Sequence, residues 1–160
     1  MSHRNRILYL GLGSNIGDRA QYICSAIDLL EESIAPVIMH STLIETSAWG
    51  FASPNAFLNA VVALETDLEP LQLLDITQQI EIKLGRTYKR NNTTLQDYHD
   101  RTIDIDMLML GDMCFHSQRL VLPHPEMTTR NFVMRPFAEI QPNLVHPLFG
   151  VNILEICSNL

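Results

Sequence analysis

A chain of 160 residues that is 46% hydrophobic and 18% charged fits one globular domain with a core to bury, and excludes a disordered or fibrous polypeptide. The net charge of −7 argues against a general nucleic-acid binder, whose footprint is basic. No apolar run approaches the roughly 18 residues that cross a bilayer, and no leader follows Met1-Ser2-His3-Arg4, so a cytoplasmic protein without membrane partners is expected.

The elements read in chain order as strand, helix, strand, strand, helix, strand. Ile7 to Leu12 is a short apolar run that breaks into a turn at Gly13-Ser14-Asn15. Asp18 can cap a helix whose inner stripe is Ile23, Ile27, Leu30 and Ile34, and Pro36 stops it. Val37 to Glu45 predicts one strand, and Trp49 to Pro54 a loop. Phe57 to Thr66 alternates, with Leu58, Ala60, Val62 and Leu64 on one face and Phe57, Asn59 and Val61 on the other. Pro70 opens a second helix carrying Leu73, Leu74, Thr77, Ile80, Glu81 and Leu84, which Gly85 closes. Thr87 to Asp100 has no apolar period and reads as a mobile loop, long enough to point to a functional or a disordered role. Thr102 to Leu110 predicts a third long strand, turned by Gly111-Asp112 into a hairpin with Cys114-Phe115. Leu120 to His124 reads as an edge segment, and Phe132 to Ile140 and Ile153 to Cys157 as helices. The order βαββαβ predicts an α+β fold of ferredoxin-like type: an antiparallel sheet with helices packed on one face, plus a C-terminal hairpin and helices, in a single domain over 1–160. Cys24, Cys114 and Cys157 are odd in number and far apart, which excludes a disulfide framework and predicts buried free thiols.

The strand from Arg101 to Leu110 carries the chemistry. Period two places Ile103, Ile105, Met107 and Met109 on one face, and Asp104, Asp106, Leu108 and Leu110 on the other. Both faces are then largely apolar, yet one holds two carboxylates roughly 7 Å apart. Burying such a pair costs several kcal/mol unless something neutralises it. An exposed strand end with paired lysines would answer the problem; a divalent cation answers it more fully, and all-oxygen ligands select a hard ion such as Mg²⁺.

Charge is unevenly spread. No Lys or Arg lies between Arg19 and Lys83, a stretch with nine acidic residues, whereas eight of the eleven basic residues lie from Lys83 to Arg135. A local anion site in an acidic protein follows, with a phosphate-bearing small molecule as its natural ligand. Gly11-x-Gly13 lacks the third glycine of a dinucleotide fingerprint and no Walker A sequence occurs, so side chains and metal must hold the phosphates. Arg86, Lys89 and Arg90 leave the second helix and Arg101 ends the loop before the aspartates, where arginine suits bidentate phosphate contact and a loop could act as a lid. Glu81 sits on an apolar stripe, where a salt bridge or a ligand would each account for it. His124, Phe57, Phe132 and Trp49 read from composition alone as core or loop residues.

Leu12-Gly13-Ser14-Asn15, Phe57-Leu58-Asn59-Ala60, Gln79-Ile80-Glu81 with Gly85-Arg86, Arg101 to Asp106, Pro123-His124-Pro125 and Arg130-Asn131-Phe132 occur in that order. Together they resemble the 6-hydroxymethyl-7,8-dihydropterin pyrophosphokinase family of folate biosynthesis, over nearly the whole chain. The resemblance implies that ATP donates its β,γ-pyrophosphate to the pterin hydroxymethyl oxygen, leaving AMP. It implies two Mg²⁺ ions on Asp104 and Asp106, with Arg86 and Arg101 as catalytic loop cations. Leu74, Gln78, Glu81, His124 and Arg130 fall among its ATP positions. Thr46, Ser47, Trp49, Phe57, Asn59, Asp104 and Phe132 fall among its pterin positions, Phe57 and Phe132 as the two stacking rings. Tyr88, Tyr98, His99 and Asp100 depart from the family pattern in the loop. A monomer is favoured, with no nucleic-acid partner. A nucleotidyl cyclase or polymerase-palm-like enzyme is a second reading, but it leaves Phe57-x-Asn59 and Arg130-x-Phe132 unexplained. A regulatory small-molecule-binding module is a third, and gives no reason for aspartates in an apolar strand.

Overall fold

The computed structural model describes residues 5–46, 55–85 and 102–160. Its main sheet is antiparallel throughout and is built around β1 (Arg6–Ser14). On one side β1 pairs with β4 (Phe57–Thr66), from Arg6 opposite Thr66 to Ser14 opposite Leu58. On the other it pairs with β5 (Asp104–Leu110). β2 (Val37–His40) and β3 (Ile44–Thr46) both pair with the outer side of β4, so the order is β2-β4-β1-β5 with β3 alongside β4.

Two helices cover the face of Leu8, Leu10, Leu12, Val62 and Leu64. The first, α1 (Arg19–Ser33), brings Ile23, Ala26 and Leu30 to this core. The second, α2 (Pro70–Lys83), brings Leu73, Leu74 and Ile80. Asp18 caps α1 by accepting the Gln21 N–H at 3.2 Å, and α2 begins on Pro70, whose missing N–H costs nothing in a first turn. Gly85 follows α2 at φ +107, a backbone that favours glycine.

The opposite face is covered as well, which differs from the expectation of helices on one side only. Tyr9, Val61, Ala63, Leu108 and Met109 pack there against α3 (Asn131–Ile140) and α4 (Ile153–Ser158) through Val133, Met134, Phe137 and Ile153. The alternation of Leu8, Leu10 and Leu12 with Tyr9 thus serves two cores, and the near-continuous apolar runs of β1 and β4 follow from burial on both sides. Among the described residues no helix is long and apolar enough to cross a membrane.

Four local expectations are corrected. The stretch 37–45 is two strands: at Ser41 the side-chain hydroxyl accepts the Val61 N–H at 2.9 Å in place of a backbone carbonyl, and the ladder breaks before Ile44. In β5, Tyr9 faces Met109 while Leu10 faces Met107, so Leu108 is a bulge residue. The extra residue reverses the alternation beyond it, placing Met109 with Leu108 in the α3 core and Leu110 with Met107 in the α1–α2 core. The residues after Gly111 do not pair back on β5; β6 (Phe115–His116) pairs instead with β7 (Val121–Leu122) in a separate hairpin. Finally, the thiols are free but not buried: Cys24 and Cys114 are exposed and Cys157 is half-buried, because Cys24 lies off the Ile23, Ala26, Leu30 stripe of α1 and Cys114 follows a turn.

Candidate active site

Cross-strand pairing assembles one row of residues on the α3 side of the sheet. Asp104 lies opposite Gly13, Gly13 opposite Asn59, and Asn59 opposite Ile44. The neighbouring rows place Asp106 opposite Gly11 and Phe57 opposite Thr46. Directly paired residues share a face, so Asp104 and Asp106 stand on one side of a floor formed by Gly11 and Gly13. Phe57 and Asn59 stand on the other side, two strand spacings or about 10 Å from the carboxylates.

At Gly13 the floor is tight against any side chain, whereas a Cβ on Gly11 would meet only ordinary contacts with Leu108. A Cβ on Gly13 would fall 3.2 Å from Asn59 Oδ1 and 3.4 Å from Phe57 Cδ1, inside the space between ring and amide. The Asn59 amide is 4% exposed, and its Nδ2 donates to Thr46 Oγ1 at 2.9 Å and to the Ile44 carbonyl at 3.3 Å. Both hydrogens of the amide are thereby used, which leaves Oδ1, over Gly13, to accept from an N–H group in the trough.

The carboxylates are half-buried and the strand beneath them is fixed from behind. Glu81 of α2 is 2% exposed, and its Oε2 accepts the Ile105 N–H at 2.8 Å, midway between Asp104 and Asp106. The His124 N–H donates to the Leu108 carbonyl at 2.8 Å, which ties the segment after β7 to the same strand. His124 Nδ1 accepts the Glu126 N–H at 3.1 Å, so in the neutral ring Nε2 carries the proton. Arg130 is 8% exposed at the start of α3, is paired with Glu126, and holds its guanidinium carbon 5.7 Å from the centre of the Phe132 ring. On α2, Leu74 is buried in the α1–α2 core, and Gln78 is half-buried with Oε1 accepting from Arg119 at 3.4 Å.

The structure therefore groups Asp104, Asp106, Phe57, Asn59 and Thr46 about one trough, with Glu81 and His124 bonded to the strand that carries the aspartates. Ser47, Trp49, Arg86 and Arg101, together with Tyr88, Tyr98, His99 and Asp100, lie outside the described residues. Gly85 and Thr102, which flank residues 86–101, lie close together: a Cβ on Gly85 would be 3.6 Å from Thr102 Oγ1. Sequence reading passed over Arg119, which bonds both Gln78 and Asp75, the latter at 2.6 Å. Its place among the basic residues after Lys83 was its only signal.

Among the described residues no three His, Cys, Asp or Glu side chains converge as a complete metal cage. The aspartate pair nonetheless fits a hard divalent ion that keeps water and takes substrate phosphates: its donors are all oxygen, and the glycine floor leaves space beside them.

The profile of the family described as 7,8-dihydro-6-hydroxymethylpterin-pyrophosphokinase (HPPK) matches residues 9–142. The chain belongs to this family. A Porphyromonas gingivalis protein named 2-amino-4-hydroxy-6-hydroxymethyldihydropteridine pyrophosphokinase is 46% identical over 88% of this chain and 94% of its own length. An Aquifex aeolicus protein of the same name is 39% identical over 92% of this chain and 88% of its own length. The crystal structure titled Plasmodium falciparum HPPK-DHPS wild type superposes with a TM-score of 0.74 at 16% identity, covering 99% of this chain and 45% of that one. The last likeness concerns the fold, and there the present chain spans under half the length of its counterpart.

Proposed function

We infer that this pyrophosphokinase transfers the β,γ-pyrophosphoryl group of ATP to the hydroxymethyl oxygen of 6-hydroxymethyl-7,8-dihydropterin, giving AMP and the pterin diphosphate in folate biosynthesis. The observation that carries the reading is the row Asp104–Gly13–Asn59 with Phe57 beside it: a carboxylate pair and a flat, amide-edged slot face each other across a floor without side chains.

In the reaction a bond forms between the substrate oxygen and the β-phosphorus, the bond from that phosphorus to the α–β bridging oxygen breaks, and the hydroxyl proton is released. The chain itself mostly positions and neutralises, as is usual for phosphoryl transfer. Phe57 and Phe132 stack on the two faces of the pterin, and Asn59 Oδ1 accepts from its N–H edge. Thr46 orients that amide; Ser47 and Trp49 complete the pterin side. Asp104 and Asp106 would hold Mg²⁺, two ions in this proposal, which when bound would neutralise phosphate charge and acidify the attacking hydroxyl. Arg86 and Arg101 close on the triphosphate, a role supported by the proximity of Gly85 and Thr102, which bracket them in the sequence. His124 Nε2 and the Arg130 guanidinium donate to phosphate oxygens, while Leu74 and Gln78 meet the nucleoside. Glu81 serves the same site by holding the backbone between the two aspartates.

The core is a ferredoxin-like βαββαβ arrangement, a proposal supported by the order β2-β4-β1-β5 and its antiparallel pairing, and residues 1–160 form one pyrophosphokinase domain. The protein acts as a cytoplasmic monomer in this proposal. Purified protein mixed with ATP, Mg²⁺ and the hydroxymethyl dihydropterin is expected to release AMP only when the pterin is present; AMP release that ignores the pterin, or none, would overturn the reading.

A further inference from the structure

The turn between β1 and α1 holds a cation that the reaction does not use. Gly17, at φ +71, folds the chain back so that Asp18 caps α1 and Arg19 becomes its first residue. A helix N-terminus is a poor place for a positive charge, since the aligned peptide dipoles already make it positive. The Arg19 side chain nevertheless reaches two strands distant in sequence. Its Nη1 donates to the Ala56 carbonyl at 3.0 Å and its Nη2 to Glu45 Oε2 at 2.7 Å. Asn15 of the same turn donates to the Asn55 carbonyl at 3.4 Å.

These acceptors adjoin the slot. Ala56 immediately precedes Phe57, and Glu45 immediately precedes Thr46, the partner of both Phe57 and Asn59. Glu45 pairs with Leu58, whose side packs on the α1–α2 core, so its side chain leaves the sheet on the face away from the trough. Arg19 thus grips β3 and the start of β4 from behind, while Thr46, Phe57 and Asn59 face the substrate.

We propose that Arg19 is a positioning residue for the pterin: its guanidinium locks β3 against β4 and so fixes the Phe57 ring and the Asn59 amide at the spacing that stacking and hydrogen bonding need. The proposal rests on the pterin reading above. Only the planar fork of arginine reaches a carboxylate and a carbonyl together; a lysine ammonium satisfies one or divides itself between them. The clamp stands on the far side of the row from Asp104 and Asp106, so its loss acts on one substrate.

The test is steady-state kinetics of Arg19→Ala, Arg19→Lys and Glu45→Gln, each with its melting temperature. Arg19→Ala is expected to raise the pterin KM about fivefold to tenfold, with kcat and the ATP KM within about twofold of the parent, since a partly exposed ion pair and one charged hydrogen bond are lost. Arg19→Lys is expected to fall between, and Glu45→Gln, which keeps an acceptor, to raise the pterin KM about twofold. An unchanged pterin KM in a folded Arg19→Ala protein overturns the proposal. So does an equal rise in both KM values, which marks general damage. If Arg19→Ala does not fold, unchanged pterin KM values in both other variants overturn it. Unmodified protein that makes no AMP with pterin strikes down the functional reading itself, whereas active parent protein with an indifferent Arg19→Ala strikes down only this step.

Discussion

Replacing Glu81 separates two jobs that its carboxylate performs. The side chain is 2% exposed and accepts the Ile105 N–H at 2.8 Å from α2, so its removal leaves a backbone donor without that partner in the interior. Glu81→Met fills similar volume and offers no acceptor; an orphaned buried N–H costs about 1–3 kcal/mol. Glu81→Gln keeps an oxygen where the carboxylate oxygen was and exchanges a charge-assisted bond for a neutral one, a loss of about 1 kcal/mol. The relief of burying no charge opposes both losses and is common to both variants. The difference between them therefore reports on the bonds that an oxygen acceptor at this position makes, the one from Ile105 among them, and Glu81→Met should unfold at lower urea, by about 1–3 kcal/mol relative to Glu81→Gln. Activity should separate the pair further. Ile105 lies between Asp104 and Asp106, and misplacement of a reacting group by about 1 Å can cost on the order of a hundredfold in rate. Glu81→Met should then lose on the order of a hundredfold in kcat and need more Mg²⁺ to reach its maximum, while Glu81→Gln keeps most of its turnover. Urea titration by circular dichroism and AMP release against Mg²⁺ concentration measure both. A Glu81→Met protein as stable and as active as Glu81→Gln would refute the reasoning.

Asp106→Ala should abolish pterin-dependent AMP release while circular dichroism stays that of the parent; near-normal turnover would remove the metal role from the aspartate pair. Gly13→Ala should raise the pterin KM about tenfold or more with a smaller change for ATP, because the new Cβ sits 3.2 Å from Asn59 Oδ1 and 3.4 Å from Phe57 Cδ1; equal effects on both substrates would count against the trough as the pterin slot. His146 is buried, its Nδ1 accepts from the Leu148 and Phe149 N–H groups, and desolvation lowers its pKa below the usual histidine value. Unfolded chains then bind the proton first, so this histidine's contribution is complete above the ordinary pKa of about 6.5 and is lost as pH falls toward the folded value. Urea midpoints between pH 7.5 and 5.5 should drop more steeply in the parent than in His146→Gln, and parallel slopes would refute the assignment.

Much of the site was legible because strand periodicity is simple. Phe57 and Asn59 share a face by period two, as do Asp104 and Asp106, and the structure keeps both pairs. The same rule failed three residues later, where the bulge at Leu108 exchanged the faces of Met109 and Leu110; a two-faced apolar strand gives no polar residue to betray such a shift. The break at Ser41 was hidden for a related reason, since a hydroxyl substituting for a carbonyl leaves no mark on an otherwise β-rich run. Glu81 stood out as an acid on an apolar stripe, but a backbone N–H 24 residues away is among its partners, and backbone groups carry no sequence signature. The Arg19–Glu45 pair, 26 residues apart, was out of reach in the same way.

β5 lies at the end of the sheet order, and strand edges are where separate protein molecules join into extended sheets. Here two polar groups of that edge are already engaged, the Ile105 N–H by Glu81 and the Leu108 carbonyl by His124. The strand that presents the aspartates thus has part of its free edge occupied by Glu81 and His124. Loss of the Glu81 carboxylate would therefore free an edge donor of β5 at the same place where it loosens the backbone between the two aspartates.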